Sequence, residues 1–347
     1  MRRRFATGAC DDRHPTPRDG SAVRRPIATV ILPAKDAGPY VGTTLQTLLR
    51  QFDDPDALKL VAVDDGSSDD TGQSMREYAE RFGTAEVIAN PEPVGLASAR
   101  NQGLAHVEGD LFCFIDGDDW MQPLRLQTLA AALHDLDCDF VRTDHVTVTG
   151  RRRALVTAPF PWRGRAVPPR EAILPVDDSS MVDYPYAWAG MFHRRVLDAG
   201  LADFCDGLFT AEDRPWIWRL HLHAASFAVV DAPHLLYRRG VPTSLTQIAD
   251  RRQLDFARAF EQVLDLVEHD AQSDRFLPKA TMTVLAISAH HLIRSRRMPT
   301  AVRAELVTGV RSLLGRLDPA LMARCLPLLS DPRRRVLARH LRKAVHG

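Results

Sequence analysis

The chain has 347 residues, 45% of them hydrophobic, and a formal net charge of +1 at pH 7. This hydrophobic share suffices for one large core with a helical appendage, and a charge so near zero gives no argument for nucleic-acid binding. The best apolar run, 282–289, is far shorter than the roughly 20 residues that span a bilayer. The five cysteines show no paired spacing, which favours a reducing compartment. We therefore expect a cytoplasmic protein, either free or peripheral on the inner face of the membrane.

Residues 1–25 are polar and rich in Pro, Arg and Asp, and they lack an apolar stretch of signal-peptide length, so we expect a disordered leader. After the leader, short apolar runs alternate with helical patterns. The predicted strands are 27–33, 58–63, 86–90 and 111–115, and the predicted helices are 40–50, 71–82 and 95–104. This alternation predicts an α/β fold with a mostly parallel sheet, which binds its ligands at the carboxyl ends of the strands.

Acidic residues follow two of these strands. Asp64 and Asp65 follow the second strand, and Asp116-Gly-Asp118-Asp119 follows the fourth. Mg²⁺ and Mn²⁺ take oxygen ligands, and Mg²⁺ is usually held by one or two carboxylates together with substrate phosphates. The Asp116 and Asp118 pair therefore predicts a divalent-cation site that also holds a nucleotide diphosphate. An acidic turn without a ligand is the alternative.

Five segments, in this order, resemble the family-2 glycosyltransferases: Leu32-Pro-Ala-Lys-Asp36, Val63-Asp-Asp-Gly-Ser-Ser-Asp-Asp-Thr71, Gly95-Leu-Ala-Ser-Ala-Arg-Asn-Gln-Gly-Leu104, Gly109-Asp110 and Ile115-Asp-Gly-Asp-Asp-Trp120. The resemblance implies an inverting sugar transferase with the Rossmann-like, A-type nucleotide-diphospho-sugar fold and a bound Mn²⁺ or Mg²⁺. The Gln-x-x-Arg-Trp segment of the processive polymerases is absent, so the resemblance is to nonprocessive, polymer-decorating members, and it implies a role in bacterial cell-wall or polysaccharide biosynthesis.

The resemblance also implies roles for individual donor-site residues. Pro33 lies where the first strand meets the nucleotide, and Asp65 matches the position that hydrogen-bonds the base, commonly uracil. Arg100 matches an arginine that lies over the donor side of the cleft. Asp116 and Asp118 match the Asp-x-Asp pair, with Asp118 as the direct metal ligand.

One segment departs from the family pattern. Many relatives have an aromatic residue followed by Asn where this chain has Lys35 and Asp36. The aromatic residue would stack on the base, so its absence leaves the identity of the base undetermined beyond a preference for uridine.

The second half of the chain supplies a candidate catalytic base. Residues 209–220 resemble the family's Glu-Asp segment at the start of a helix that borders the acceptor, which makes Asp213 the expected base. Inversion needs one base to take the proton of the acceptor hydroxyl while that hydroxyl attacks opposite the leaving phosphate. Alternatively, Glu212 and Asp213 are simply favourable acids at a helix N-terminus.

Arg238 and Arg239 are the expected phosphate ligands. They precede a Ser-x-Thr element at 244–246, where nonprocessive relatives carry a loop that closes over the diphosphate. Guanidinium groups suit phosphate because they donate two parallel hydrogen bonds. A solvated charged loop is the alternative.

Four further side chains have two readings each. Trp188 is either a flat platform for an acceptor sugar or a core residue. His221, His223 and His234 could complete a metal site, although their spacing gives no support and structural histidines are the alternative.

The motifs divide the chain into a catalytic domain at 26–248, with a nucleotide-binding half at 26–120 and an acceptor half at 121–248, and a helical region at 249–347. We expect five prolines to divide that region into four or five helices: Pro278, Pro299, Pro319, Pro327 and Pro332. The last helix, 333–343, is basic and amphipathic. It either contacts an anionic membrane surface or packs on the domain.

Three functions remain open. The first is the transfer of a single sugar from a nucleotide diphosphate, with uridine preferred, to a hydroxyl of a glycan, a teichoic-acid-like polymer or a lipid-linked acceptor. The second is nucleotidyl transfer on a similar sheet, although no Gly-rich, Lys- or Arg-bearing loop follows the first strand to hold a triphosphate. The third is a silent nucleotide-sugar binding protein, which would be expected to have lost Asp118 or Asp213.

Overall fold

The computed structural model describes residues 25–241 and 249–344, with side chains described as far as residue 341. Of the predicted leader only Arg25 lies in the described part, and the Ser-x-Thr element at 244–246 lies outside it.

The described residues form two sheets. The strands are β1 Ala28–Ala34, β2 Leu58–Asp64, β3 Thr84–Ala89, β4 Leu111–Phe114, β5 Trp120–Met121, β6 Phe140–Arg142, β7 His145–Thr149, β8 Arg152–Val156, β9 Gly190–His193, β10 Phe227–Val229 and β11 Leu235–Arg238. Seven of them make the central sheet, in the order β10-β6-β9-β4-β1-β2-β3. Strand β9 is antiparallel to both of its neighbours, and the other pairs are parallel. The predicted mostly parallel sheet is thus confirmed.

The α-helices are α1 Gly38–Leu48, α2 Thr71–Ala79, α3 Leu96–Leu104, α4 Arg125–Leu136, α5 Arg194–Asp198, α6 Asp213–His223, α7 Asp255–Glu268, α8 Ser273–Arg294, α9 Thr300–Gly315, α10 Pro319–Cys325 and α11 Asp331–Ala344. Helix α3 packs against β1 and β2, and α4 packs against β6 and β9. Strand β1 is buried along its whole length. A strand that is covered on both faces needs apolar residues at every position, which explains why its sequence does not alternate.

A second sheet, in the order β5-β11-β7-β8, lies beside the carboxylate motif. Leu236 of β11 is in register with Trp120 of β5, directly after the motif. This pairing brings Arg238, the last residue of β11, next to the loop that carries Asp118 and Asp119.

The C-terminal helices pack onto the catalytic domain. Helix α7 contacts α6, and α8 lies against α7, α9, α10 and α11. Ion pairs Arg170–Asp270 and Lys279–Asp183 join this region to the segment between β8 and β9. No helix within residues 25–241 and 249–344 is long and apolar enough to cross a membrane.

The prediction that Pro278 breaks a helix is wrong. Pro278 lies inside α8, close to its N-terminus, and the break lies earlier, between the end of α7 at Glu268 and Ser273. A proline there removes one intrahelical hydrogen bond, and the buried neighbours Phe276 and Ala280 hold the helix in the core. Pro319 and Pro332 lie in the first turns of α10 and α11, positions that tolerate proline.

Candidate active site

The carboxylate loop after β4 is held in one conformation by close packing. A Cβ atom at Gly117 would lie 2.4 Å from the Cβ of Ala34, so any side chain there would push the loop off β1. The Thr44 hydroxyl lies 2.6 Å from the carbonyl oxygen of Asp119 and 3.0 Å from that of Gly117. Helix α1 therefore fixes the loop from one side.

Two carboxylates of this loop, Asp118 and Asp119, are buried and have raised pKa values. Burial, together with the neighbouring charge of Asp116, raises the pKa of Asp118 to about 6, although Arg238 opposes the shift. Burial also raises the pKa of Asp119, whose Oδ1 accepts the backbone N–H of Arg238 at 2.7 Å. Its Oδ2 is buried and has no hydrogen-bond partner among the described residues. Crowded, desolvated carboxylates of this kind are stabilised by a bound cation.

A divalent cation fits these residues, because the donor atoms are hard oxygens at a strand end. Within the described ranges no group of three or more His, Cys, Asp or Glu side chains is arranged to hold a metal by itself. Mg²⁺ is commonly held by one or two carboxylates, with substrate phosphates and water completing its shell. Asp116 and Asp118 suit that second arrangement.

Arg100 of α3 joins the carboxylate loop to α6. Its Nη2 donates to Oδ1 of Asp116 at 2.9 Å, and its Nη1 donates to Oε1 of Glu212 at 2.8 Å. The side chain is almost fully buried, and its guanidinium lies 5.0 Å from the centre of the Phe204 ring. A buried cation held by two carboxylates fixes the distance between the two acidic segments.

The acids at the start of α6 differ in exposure. The Glu212 side chain is only 8% exposed and is bound to Arg100, whereas the Asp213 side chain is 28% exposed and lies 3.8 Å from Nε of Arg214. Burial raises the pKa of both groups, and repulsion from Asp213 helps to bring that of Glu212 to about 7. Asp213 is therefore the acid of this pair that a substrate can reach.

Asp65 holds the loop that precedes α3. Its Oδ1 accepts the backbone N–H of Val94 and the side-chain amide of Asn90, and its Oδ2 accepts the backbone N–H of Gly95. Gly95 has a φ of +92°, which favours glycine, and it leads directly into the helix that carries Arg100. Asp65 thus positions the arginine helix, and its contact with a base stays a prediction.

Pro33 lies at the carboxyl end of β1, in register with Val63 of β2. The departure at Lys35 has a structural role, because its Nζ donates to Asp36 and to the carbonyl oxygen of Gly66. The two loops that border the predicted base site are thereby tied together.

Arg238 lies in the site and Arg239 lies at its surface. The guanidinium of Arg238 is stacked between the rings of Tyr40 and Trp120, 4.7 and 4.5 Å from their centres, and its Nε donates to the carbonyl oxygen of Asp118 at 2.8 Å. Arg239 is exposed and lies over the ring of Tyr237. The sequence did not reveal Tyr40 and Trp120 as the residues that hold Arg238.

The structure decides between the two interpretations of Trp188. It does not support a histidine metal site among the described residues. Trp188 is 3% exposed and packs between the rings of Tyr186 and Tyr237, so it is a core residue and not an open platform. His221 is buried with its ring beside the carbonyl oxygen of Ile217, whereas His223 is exposed. Among the described residues these histidines join no metal-binding cluster.

Comparisons with known proteins agree with this architecture. EpsJ of Bacillus subtilis, an uncharacterized glycosyltransferase, is 25% identical over 232 residues, which are 66% of this chain and 66% of EpsJ. TarS of Staphylococcus aureus, a poly(ribitol-phosphate) beta-N-acetylglucosaminyltransferase, is 21% identical over 309 residues, or 87% of this chain and 52% of TarS.

Crystal structures of TarS 1-349 share the fold. The complex with UDP has a TM-score of 0.68 at 18% identity, covering 92% of this chain and 88% of the TarS chain. The complex with UDP-GlcNAc has a TM-score of 0.70 at 17% identity, covering 91% and 92%. The sequence profile of Glycosyl transferase family 2 matches residues 29–198, which include the carboxylate loop and Arg100. Residues 29–198 therefore form a domain of the family-2 glycosyltransferases.

Proposed function

We propose that the protein transfers a single sugar from a UDP-sugar to an acceptor hydroxyl, with inversion at the anomeric carbon and with Mn²⁺ or Mg²⁺. The observation that carries this proposal is the bridge made by Arg100. One buried guanidinium holds Asp116 on one side and Glu212 on the other. Two segments far apart in the sequence are thereby held side by side, and the more exposed carboxylate of Asp213 directly follows Glu212.

On the donor side, Asp116 and Asp118 would hold the cation, which supplies positive charge to the diphosphate leaving group. Arg238, at the end of β11, and Arg239, directly after it, donate hydrogen bonds to the phosphates. Pro33 and Asp65 border the base. The UDP and UDP-GlcNAc complexes of TarS, which has the same fold, support a uridine nucleotide.

On the acceptor side, Asp213 accepts the proton of the attacking hydroxyl. The new bond forms between the acceptor oxygen and the anomeric carbon as the bond to the phosphate breaks, so UDP leaves and the configuration inverts. The acceptor is a cell-surface polymer or glycolipid. The polymer is supported by the similarity to TarS, which is a poly(ribitol-phosphate) beta-N-acetylglucosaminyltransferase. Residues 26–120 carry the donor side and 121–248 carry the acceptor side, and α7 of the C-terminal region packs against α6.

Replacement of the base tests this function. Asp213→Asn keeps the size of the side chain, so the protein should still bind UDP-sugars but lose transfer by about a hundredfold or more. Donor binding is measured by Mn²⁺-dependent thermal stabilisation with a panel of UDP-sugars, and transfer by UDP release with a cell-wall polymer preparation. Comparison of the anomeric configuration of donor and product by NMR checks inversion.

The matched control is Asp274→Asn, which removes an exposed acid from the first turn of α8. If the only role of Asp213 were its charge at a helix N-terminus, the two variants would lose the same amount of sugar transfer. Retention of more than about a tenth of wild-type turnover by Asp213→Asn would remove the residue from the mechanism.

A further inference from the structure

One face of helix α1 supports both the carboxylate loop and the arginine beside it. Tyr40 and Thr44 are one helical turn apart in α1 and therefore lie on the same face. The Thr44 hydroxyl lies 2.6 Å from the carbonyl oxygen of Asp119, and the centre of the Tyr40 ring lies 4.7 Å from the guanidinium of Arg238. A single rigid element thus places both the loop and Arg238.

Arg238 is held at its backbone, at Nε and by two aromatic rings. Its backbone N–H donates to Oδ1 of Asp119 at 2.7 Å, and its Nε donates to the carbonyl oxygen of Asp118 at 2.8 Å. Its guanidinium lies over the rings of Tyr40 and Trp120, and we call these three side chains the ring stack. Neither Nη group of Arg238 donates a hydrogen bond to a residue that the structure describes, so these two groups remain for a ligand.

The charge of Arg238 is not taken up by an ion pair. The charge of Arg100, the other arginine at the carboxylate loop, is bound by Asp116 and Glu212. The guanidinium of Arg238 donates only to a backbone carbonyl oxygen, and within residues 25–241 and 249–344 it pairs with no carboxylate. Arg238 and both rings of the stack are half-buried, so they are open to solvent on one side. An unpaired cation beside the carboxylate loop suits an anionic group of a ligand that binds that loop.

The rings limit the freedom of a long side chain before any ligand binds. An unsupported arginine has many rotamers, and a ligand that selects one of them loses affinity through the entropy of that selection. Contact with two rings confines the guanidinium plane in advance. A lysine could not use this support, because its ammonium group is a point charge without a flat face.

We propose that Tyr40 and Trp120 are positioning residues for the donor diphosphate, which hold Arg238 so that its two Nη groups meet the phosphates beside the carboxylate loop. The inference rests on the proposed transferase function and deepens its donor site. It implies that the two rings contribute to the affinity for phosphates, through Arg238 alone, and contribute nothing to the affinity for the base.

The test measures the Kd of UDP in the presence of Mn²⁺ by titration calorimetry, with full-length variants. Tyr40→Leu and Trp120→Leu each remove one ring of the stack, and Tyr40→Phe keeps the ring. The matched control is Tyr78→Leu, because the half-buried Tyr78 ring also lies under an arginine, 5.0 Å from the guanidinium of Arg81, but on α2. Melting temperatures of the ligand-free variants verify that each is folded.

Each Leu variant of the ring stack should weaken UDP binding roughly three- to tenfold, whereas Tyr40→Phe and the Tyr78→Leu control should change it less than about twofold. Arg238→Gln and Arg238→Lys should both weaken it by about tenfold or more, because a positioned guanidinium is needed and not charge alone. In the Arg238→Gln background, Tyr40→Leu should have almost no further effect, since its only route to the ligand is gone. Binding of uridine, followed by NMR titration, should be the same in all of these variants and wild type.

Three results would overturn the proposal: an equal loss of UDP binding in Tyr40→Leu and Tyr78→Leu, an undiminished effect of Tyr40→Leu in the Arg238→Gln background, or an equal loss for uridine and UDP. Each would show that the rings only support the fold or the base site. Trp120→Leu repeats the comparison from the other side of the stack if Tyr40→Leu is unfolded. Failure of the proposed function is read separately, as the absence of Mn²⁺-dependent UDP binding by wild type.

Discussion

Ionisation of Glu212 should lower the free energy of unfolding of the protein as the pH rises through about 7. The side chain is buried between Arg100 and Asp213, and burial raises its pKa from an ordinary 4.5 to about 7. Since the folded-state pKa is raised, the protonated form is favoured in the fold. The stability that this group contributes is complete below about pH 4.5 and is lost as the pH rises through about 7.

The magnitude follows from the size of the shift. Each unit of pKa difference between the folded and unfolded states corresponds to about 1.4 kcal/mol. Between pH 5 and pH 8, ionisation of Glu212 should therefore lower the free energy of unfolding by about 2 to 3 kcal/mol. Glu212→Gln removes the ionisation while keeping the shape and one acceptor for Arg100. Relative to wild type, the variant should gain stability by that amount as the pH is raised from 5 to 8.

The assay is urea unfolding of wild type and variant at pH 5 and at pH 8, which gives the difference in their free energies of unfolding at each pH. The result is the change in that difference between the two pH values. Glu80→Gln, at an exposed position just after α2, is the control and should show no such pH dependence. The same effect of Glu212→Gln on stability at pH 5 and at pH 8 would refute the reasoning. A stabilised variant that transfers sugar more slowly would show that the acid is retained for function.

Two predictions concern the donor. Asp118→Asn should keep the fold but lose Mn²⁺-dependent stabilisation by UDP, because a carboxylate ligand becomes a neutral amide; thermal shifts with and without Mn²⁺ check this, and equal shifts in variant and wild type would contradict the metal assignment. Asp65→Ala should weaken UDP binding by roughly ten- to a hundredfold, since a bond to a charged acceptor is worth about 1.5 to 3 kcal/mol, and the melting temperature of the ligand-free variant measures the separate effect on the loop that Asp65 holds. Titration calorimetry measures the loss, and tighter binding of CDP than of UDP by wild type would show that the base pocket is misread.

Much of the central fold could be predicted from local patterns. The apolar run predicted at 58–63 is β2, Leu58–Asp64, and the helix predicted at 71–82 is α2, Thr71–Ala79. The strand is predictable because strands buried on both faces are continuously apolar. The second sheet was not predicted, because β8 is almost wholly exposed and contains two arginines, so its sequence has no apolar periodicity.

The candidate site was predicted less completely, because its key contacts join distant segments. A motif identifies Arg100 and Asp116, but only the fold shows that Glu212 is the second partner of Arg100. The stacking of Arg238 between Tyr40 and Trp120 depends on the pairing of β11 with β5, which no local pattern encodes. Trp188 could not be assigned from the sequence, since an aromatic side chain suits a core and a sugar platform equally well.

The charges of the chain are divided unevenly along its length. Residues 1–248 contain 34 Asp or Glu and 27 Lys or Arg, whereas 249–347 contain 10 and 18. A diphosphate can approach the acids of the carboxylate loop because a divalent cation and Arg238 lie between them in the proposed complex.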